Sequence, residues 1–412
     1  MFKERSARTV KRFYNPPTLL LRQAASALYF SYIVGWKKLP HWLMKGKRTL
    51  PTAAGAIGMG CIGFPIHPVW EVTNACNLGC KQCHACSGKP APGELTTEEG
   101  KRLLDSIANI GEFRMLALGG GEPLVRPDIV ELIAYARRLG LEISIATNGT
   151  LLTRELAKEF KKLGVTNIAV GLNANDEVVH EQITNVTGSF AKSKNAVYAT
   201  IEAGMNLQIN TTVMKENRPA IPGLLDFASD IDAQIVLLYQ LVPEGRGEED
   251  MELSLREYRS LTEMVADKQK TSRAIIEPTC SPQYWAHLLS QRVNHNGKQP
   301  SKITMKLAEM LFKGCVAGSG LCYIKPDGEV WPCPFVPISA GNVHEHSLEE
   351  LWYDSELFNS LRDRERLTGE KCPSCLYKNL CGGCRGRAYA HSGDYLGDDP
   401  LCFLYSDTTT VT

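Results

Sequence analysis

Between residues 67 and 245, short apolar runs alternate with stretches in which apolar residues recur every three or four positions. The first pattern is typical of buried β-strands and the second of amphipathic helices. The strand-like runs are "HPVWEVT", "FRMLAL", "LEISIATNG", "VTNIAVGLN", "NLQINTTVM" and "AQIVLLYQLVPEG". A helix-like segment follows each of them except the last, beginning with "LTTEEGKRLLDSIANIG" and its capping box at Thr96 and Glu99. We therefore predict an α/β fold, a partial (β/α)6 barrel of the TIM type, with functional residues at the carboxyl ends of its strands.

Composition divides the rest of the chain into three further regions. Residues 1–66 form a basic, amphipathic amino-terminal segment, and residues 246–310 are polar and typical of a helical bridge. Residues 311–412 contain eight cysteines among glycines and prolines, with few apolar runs. We expect this last region to bury little apolar core, so that bound metal holds it together.

The formal net charge of +1 conceals the basic amino-terminal segment. Residues 1–70 contain eleven lysines and arginines and one acidic residue, and all eleven cations lie in residues 1–48. The uncharged run from Gln23 to Trp36 has fourteen residues, fewer than the roughly 20 that span a bilayer. We expect either an interfacial helix on an anionic membrane or a helix that packs on the protein itself. With no secretory signal pattern, the sequence predicts a cytoplasmic protein, peripheral at the inner face of the membrane if residues 1–48 bind there, and no nucleic-acid partner.

The first dense group of cysteines follows the first predicted strand. Its spacing is Cys76-x3-Cys80-x2-Cys83, and Cys86 comes three residues later. Three thiolates at this spacing can hold three irons of a cubane cluster and leave the fourth iron open to a small chelating molecule. A closed zinc site that includes Cys86 is the structural alternative. The stretch "GGGEP" follows the second strand, so both loops are expected at one mouth of the barrel.

Together these motifs resemble the radical S-adenosylmethionine (SAM) superfamily over roughly residues 67–245. The resemblance implies a [4Fe–4S] cluster on Cys76, Cys80 and Cys83, with SAM chelating its unique iron. It also implies cofactor contacts from the "GGEP" turn, from the residue before the third cysteine and from the "ATNG" stretch: Gly120, Gly121, Glu122, Pro123, Gln82 and Asn148. We attribute the glycines to an open edge that receives the methionyl amino group. Gln82 stands where the family usually has an aromatic residue, and the 184–185 region stands where it often has an arginine.

The second dense group of cysteines resembles the SPASM domain that follows many radical enzymes. Five residues separate Cys375 from Cys381, whereas zinc ribbons place about 15 to 20 between their cysteine pairs. The resemblance implies two auxiliary [4Fe–4S] clusters with interleaved ligands. One would use Cys315, Cys322, Cys333 and Cys384, and the other Cys372, Cys375, Cys381 and Cys402. Two residues separate Cys381 from Cys384, where many members have three. The remaining cysteines are expected to be plain buried thiols: Cys61, Cys86 and Cys280.

These resemblances imply an enzyme of the oxidoreductase or lyase type. It would reductively cleave SAM to methionine and a 5′-deoxyadenosyl radical, which abstracts hydrogen from an unactivated substrate carbon. A low-potential donor such as ferredoxin or flavodoxin would supply electrons. The sequence assigns no catalytic side chain.

The C-terminal stretches favour one substrate class. "CYIKPDGEVWPCPFVPISAGNV" and "CGGCRGRAYAHSGDYLGDDPLC" are similar to enzymes of the alternative haem pathway and of haem d1 biosynthesis. That similarity implies a tetrapyrrole side chain as substrate. The alternative is a peptide or protein maturase, although Pro334 stands where sulfatase-maturing relatives have an aspartate. A non-catalytic iron–sulfur or zinc protein is the most distant alternative, because it leaves the "GGEP" turn and the barrel pattern unexplained.

Overall fold

One continuous sheet links the barrel to the cysteine-rich region. The computed structural model describes residue 28 and residues 67–113, 115–293, 300–311 and 313–404. The strands are β1 (His67–Glu71), β2 (Met115–Gly119), β3 (Glu142–Thr147), β4 (Asn167–Gly171), β5 (Asn206–Val213), β6 (Ile235–Gln240), β7 (Ile275–Thr279), β8 (Leu321–Ile324), β9 (Glu329–Trp331) and β10 (Gly341–Asn342). They pair in the order β10-β9-β8-β1-β2-β3-β4-β5-β6-β7. The pairs from β8 through β7 are parallel, whereas β8–β9 and β9–β10 are antiparallel.

Helices lie between the parallel strands along the chain. They are α1 (Thr97–Asn109), α2 (Ile129–Arg138), α3 (Arg154–Leu163), α4 (Glu177–Thr184), α5 (Ser189–Glu202), α6 (Ile221–Asp230), α7 (Leu255–Gln269), α8 (Gln283–Val293) and α9 (Lys302–Leu311), followed after β10 by α10 (Leu348–Tyr353), α11 (Glu356–Arg362) and α12 (Arg385–Ser392). Short 3-10 helices span Pro123–Val125, Arg218–Ala220, Glu249–Met251 and Arg364–Arg366.

The local signals in the sequence explain the first helix. Thr96 Oγ1 accepts a hydrogen bond from the Glu99 N–H (3.4 Å), and Glu99 Oε2 accepts one from the Thr96 N–H (2.9 Å). This is the predicted capping box, which satisfies backbone donors that a helix start leaves unpaired. Leu103 and Ile107 then bury the apolar side of α1 in the core. Strand β2 is buried at all five positions, as expected for a parallel strand covered on both faces.

The predicted α/β fold is confirmed, and its six predicted strands are β1 to β6. The structure adds β7 within residues 246–310, so this region is not only a helical bridge. Strand β7 pairs in parallel with β6 and extends the barrel sheet. The run "AIIEPT" was overlooked because it is short, contains a proline and lies between polar helices.

The expectation that residues 311–412 bury little apolar core is wrong. Trp352 and Phe358, on α10 and α11, are 2% and 0% exposed and belong to the same core as the barrel. The ring centroids of Trp352 and Phe113 lie 5.0 Å apart. These helices are only six and seven residues long, so their apolar spacing is too brief to stand out in the sequence.

Several predictions fall outside the described residues. These concern the basic segment 1–48 and its uncharged run from Gln23 to Trp36, of which the structure describes Leu28 alone, and Cys61. Within the part of the chain that the structure describes, no helix has the length and apolar character needed to cross a bilayer.

Candidate active site

The three cysteines of the first motif lie in the loop that leaves the carboxyl end of β1. Backbone hydrogen bonds close the base of this loop, from the Cys76 N–H to the Gly88 carbonyl (3.0 Å) and from the Gly88 N–H to the Asn74 carbonyl (3.0 Å). The opposite side of the loop is fixed to the end of α4, where the Gly79 N–H donates to the Thr184 carbonyl (3.1 Å). The loop is therefore anchored on both sides of its cysteines.

The environment of these cysteines fits an iron–sulfur cluster. Backbone N–H groups face two of the sulfurs, from Leu78 to Cys76 Sγ (3.5 Å) and from Ser87 to Cys83 Sγ (3.4 Å). Burial, together with the charges of Cys83 and Cys76, raises the pKa of Cys80 to about 12. As thiolates the three groups would repel one another, and a bound group carrying several iron cations would relieve that repulsion.

The ligand geometry differs from that of a site for one ion. Within the described ranges, no three His, Cys, Asp or Glu side chains lie close enough together to hold a single metal ion. An iron–sulfur cluster is larger than one ion, so the sulfurs around it stand farther apart than the ligands of one ion.

The predicted "GGEP" turn packs directly against the chain that follows β1. A Cβ added at Gly120 would lie 2.4 Å from the Thr73 carbonyl oxygen, and one added at Gly121 would lie 2.2 Å from that of Ala75. Gly120 also has a φ of +131°. Close backbone packing therefore requires these glycines, which corrects the expectation that an open edge explains them.

Glu122 links this turn to the end of β3. Its fully buried carboxylate accepts hydrogen bonds from Thr147 Oγ1 (2.6 Å) and from the Asn148 N–H (2.7 Å). Burial outweighs these bonds and raises the pKa of Glu122 to about 7. The carboxylate is engaged inside the protein, so the backbone of the turn is the part suited to meet a ligand. Pro123 begins the 3-10 helix that follows.

The structure brings the other predicted cofactor residues to the same place. Gln82 and Asn148 line one cavity together with Gly120 and Cys80. The Asn148 side-chain amide lies 3.9 Å from Cys76 Sγ, and Gln82 Nε2 donates to Asn173 Oδ1 (3.3 Å). Their contacts with SAM stay a prediction. Cys86, which was expected to be buried, is exposed.

Arg246 is a site residue that sequence reasoning missed. Its side chain donates to the carbonyls of Cys80 (2.8 Å) and Ser87 (2.9 Å), and its N–H donates to the Cys83 carbonyl (2.9 Å). Arg246 therefore holds the cluster loop from across the barrel. Arg246 directly follows the predicted run "AQIVLLYQLVPEG", but its partners are backbone carbonyls, which no side-chain pattern reveals.

A second missed group consists of Glu71, His84 and Tyr323. His84 Nε2 lies 3.1 Å from Tyr323 Oη and 3.5 Å from Glu71 Oε1. Burial opposes protonation of His84, but the hydrogen bond and charge of Glu71 outweigh it and raise the pKa of the imidazole. This group joins the ends of β1 and β8 to the cluster loop. The three residues lie far apart in the sequence, so no local motif indicates this group.

The cavity lies between the barrel strands and the cysteine-rich region. Its volume is about 370 Å³, within the usual range for small-molecule sites, roughly 300–1,000 Å³. Its walls combine apolar side chains with a few polar ones, among them Asn210, Tyr239 and Tyr323. Cys80 of the first motif and Cys333 of the second both border it. A molecule bound here would contact both halves of the protein.

The second predicted auxiliary set is brought together. A small pocket is lined by all of its cysteines, which are Cys372, Cys375, Cys381 and Cys402. Backbone N–H groups of Tyr377 and Gly383 face the sulfurs of Cys375 and Cys381, each at 3.4 Å. Burial and the neighbouring charge of Cys402 raise the pKa of Cys381. The donor set suits an iron–sulfur cluster.

The first predicted auxiliary set is brought together only in part. Cys315, Cys333 and Cys384 border the large cavity. Cys322 instead lies within the apolar core and is 0% exposed. The buried Asp399 carboxylate supports Cys384, because it accepts a hydrogen bond from the Cys384 N–H (2.7 Å).

Comparisons with known proteins agree with this arrangement. The model of the radical SAM superfamily matches residues 70–228, and that of the SPASM iron–sulfur cluster-binding domain matches residues 315–376. The chain is 38% identical to an AdoMet-dependent heme synthase of Methanosarcina barkeri, over 81% of this chain and 95% of that protein. It is 30% identical to an Fe-coproporphyrin III synthase of the same organism, over 82% of this chain and 87% of that protein.

A solved structure shares the fold. The crystal structure of Streptococcus suis SuiB bound to S-adenosylmethionine superposes with a TM-score of 0.65 at 20% identity, covering 87% of this chain and 82% of that chain. The chain therefore belongs to the radical SAM superfamily and carries a SPASM domain. It is an enzyme of this class, whose cofactors are iron–sulfur clusters and SAM.

Proposed function

We propose that this enzyme oxidises a carboxylate-bearing side chain of a tetrapyrrole haem precursor. The observation that carries the proposal is the 38% identity to an AdoMet-dependent heme synthase over 95% of that protein's length. The similarity to an Fe-coproporphyrin III synthase supports the same substrate class. The cavity suits such a ligand, because a mostly apolar wall with few polar groups complements a flat macrocycle with charged arms.

The residues in and around the cavity take distinct parts in this proposal. Cys76, Cys80 and Cys83 hold the [4Fe–4S] cluster, which when bound supplies the electron that cleaves SAM to methionine and a 5′-deoxyadenosyl radical. The backbone of the turn Gly120–Pro123 receives the methionyl amino group. Gln82 and Asn148 line the cofactor side of the cavity.

The Glu71, His84 and Tyr323 group lies on the substrate side. Glu71 orients the His84 imidazole, and the imidazole in turn contacts the Tyr323 phenol. These two side chains border the cavity and offer polar edges to a substrate carboxylate. The barrel and the cysteine-rich region together exclude water from the reacting carbon.

The net change at the side chain balances as an oxidative decarboxylation. A hydrogen atom leaves for the 5′-deoxyadenosyl group, and the carbon–carboxylate bond then breaks to release carbon dioxide. One electron is lost, and a carbon–carbon double bond remains. The two auxiliary sites near Cys384 and Cys381 are the proposed destination of that electron.

The proposal also includes an electron donor and a location in the cell. A low-potential donor such as ferredoxin or flavodoxin supplies electrons, and the protein works in the cytoplasm. Peripheral association with a membrane through residues 1–48 is part of the proposal as well.

The test is an anaerobic assay of the reconstituted protein with SAM, a low-potential reductant and Fe-coproporphyrin III. We expect 5′-deoxyadenosine and a product that lacks one or more carboxyl groups, both measured by liquid chromatography and mass spectrometry. The variant with Cys76, Cys80 and Cys83 all replaced by alanine is expected to form neither. Tetrapyrroles that return unchanged, together with a modified peptide in parallel assays, would establish the peptide-maturase alternative instead.

A further inference from the structure

Cys280 lies where a ligand of the first auxiliary cluster is needed. It directly follows β7 and borders the same cavity as Cys315, Cys333 and Cys384. From the sequence it was expected to be a plain thiol, because no other cysteine lies near it in the chain. The sheet places the carboxyl end of β7 beside the cysteine-rich region, and this brings Cys280 to the other three.

Cys280 contacts Cys384 directly. Its side chain is hydrogen-bonded to that of Cys384. Cys315 and Cys333 border the same cavity, so all four cysteines face one space.

The backbone around Cys280 is tied to that of Cys384. Arg387 donates to the Cys280 carbonyl through Nη2 (2.8 Å) and lies 3.2 Å from both carboxylate oxygens of Asp399 through Nη1. Asp399 accepts the hydrogen bond from the Cys384 N–H. The network fixes the two cysteines with respect to each other.

Cys322, the fourth ligand expected from the sequence, faces the other way. Successive side chains of a strand point to opposite faces of its sheet. On β8, Leu321 and Tyr323 border the cavity, whereas Cys322 and Ile324 lie in the core. Burial raises the pKa of Cys322, and the nearby charge is that of Arg362. The Arg362 guanidinium lies 4.5 Å from the centroid of the Trp352 ring, in the helical layer.

We infer that Cys280 is the fourth cysteine ligand of the auxiliary cluster held by Cys315, Cys333 and Cys384, and that Cys322 is a core residue. The inference rests on the auxiliary site of the proposed function but not on its substrate. The carboxyl end of β7, the last barrel strand, then contributes one ligand to this cluster. The barrel and the cysteine-rich region therefore both bind the cluster.

The test compares Cys280→Ser with Cys322→Ala by iron and sulfide content and by electron paramagnetic resonance after anaerobic reconstitution. We expect Cys280→Ser to lose about four irons, or to convert one cluster to a three-iron form with its own resonance. Cys322→Ala is expected to keep the full iron content. The signal of the Cys76 cluster and its change on addition of SAM serve as the folding control in both.

An unchanged iron content and spectrum in Cys280→Ser would overturn the inference. So would the loss of one cluster from Cys322→Ala at an unchanged melting temperature. Because neither measurement needs a substrate, a negative result in the tetrapyrrole assay would leave this test intact. Cys375→Ala, which removes a ligand of the other auxiliary set, shows how the loss of that cluster appears in the same spectra.

Discussion

At the scale of single residues, Arg246 shows how a distant side chain can shape a cofactor loop. Its guanidinium bonds two carbonyls, those of Cys80 and Ser87, that lie on either side of Cys83. Only a planar group with several donors can reach both at once. Arg246 is therefore a positioning residue, since it acts on the cysteines through the loop backbone.

Replacing Arg246 is expected to loosen the cluster loop. In Arg246→Ala, the carbonyls of Cys80 and Ser87 lose charged donors, at a cost of about 2 kcal/mol. We expect faster loss of iron from the Cys76 site to a chelator, measured by the decay of its SAM-sensitive resonance. Arg246→Lys keeps the charge but not the fork of donors. Its rate of iron loss should therefore lie between those of the wild type and Arg246→Ala.

The control for this prediction is Arg154→Ala, which removes an exposed ion pair with Glu202. Such pairs contribute about 0–1 kcal/mol to stability. The SAM-sensitive resonance of Arg154→Ala should therefore decay at the wild-type rate. If Arg246→Ala decays at the wild-type rate, Arg246 does not position the loop.

A buried histidine gives a pH dependence that can be measured. His180 is 1% exposed, and its Nδ1 accepts a hydrogen bond from the Asn173 N–H (3.2 Å). Burial lowers the pKa of His180 from 6.5 to about 4. The unfolded chain therefore binds the proton more tightly, and this histidine makes the folded state less stable as the pH falls from about 6.5 to 4.

Replacing His180 by asparagine keeps an acceptor near Nδ1 and removes the titration. Between pH 7 and pH 5, the loss in free energy of unfolding should be smaller by about 2 kcal/mol in His180→Asn than in the wild type. Urea unfolding under anaerobic conditions at the two pH values measures this difference. The same substitution at the exposed His344 provides the matched control variant. Parallel curves for wild type and His180→Asn would contradict the prediction.

At the scale of elements, the cysteine-rich region has two parts that depend to different degrees on apolar packing and on bound metal. Strands β8 and β9 and helices α10 and α11 contribute to the common core, with Trp352 and Phe358 buried. Residues after about 364 also contribute Tyr377, Leu380 and Phe403 to this core. They surround the pocket of the second auxiliary set and contain five of the region's eight cysteines, so we expect bound metal to support this part more than the first.

Replacing Cys375 by alanine is expected to loosen only this second part. We expect loss of about four irons and new protease cleavage sites between residues 364 and 404, mapped by mass spectrometry. Cleavage within α10, α11 or the barrel should not increase, because apolar packing holds them. The control is Cys86→Ala, since Cys86 is exposed and outside the ligand sets. An unchanged cleavage pattern in Cys375→Ala would show that packing holds the second part too.

The elements also show what the sequence can and cannot reveal. The runs of β1 to β6 were recognisable because strands buried on both faces are continuously apolar. Strand β8 was not, because its partner β1 lies far away in the chain and nothing in "LCYI" indicates it. Spacing predicts the three cysteines of the first loop as cluster ligands. Cys280 has no such spacing, and its position depends on the pairing of β7 with β6.

At the scale of the whole molecule, the basic amino-terminal segment leads to a separate prediction. Residues 1–48 carry eleven lysines and arginines. Each such residue near an anionic membrane contributes roughly 1 kcal/mol, screened by salt over a Debye length. We expect the full chain to sediment with anionic vesicles at low salt and to be released as the salt concentration rises.

Deleting residues 1–48 is expected to abolish this sedimentation. Iron content and SAM cleavage should remain, because the described cysteines lie outside the deleted segment. Vesicles of neutral lipid provide the matched control. If the full chain ignores anionic vesicles at low salt, the segment does not anchor the protein, and its cations become candidates for pairing with substrate carboxylates.

The pairing of β8 with β1 has a consequence for any attempt to divide this protein. A chain ended at residue 310 would follow the boundary seen in the sequence, yet it would remove the neighbour of β1 on one side. The backbone groups of β1 that now bond β8 would then form an exposed edge, which recruits strands from other molecules. The shortened protein should therefore aggregate even though it contains every strand from β1 to β7. The barrel and the cysteine-rich region thus depend on each other and form one folding unit.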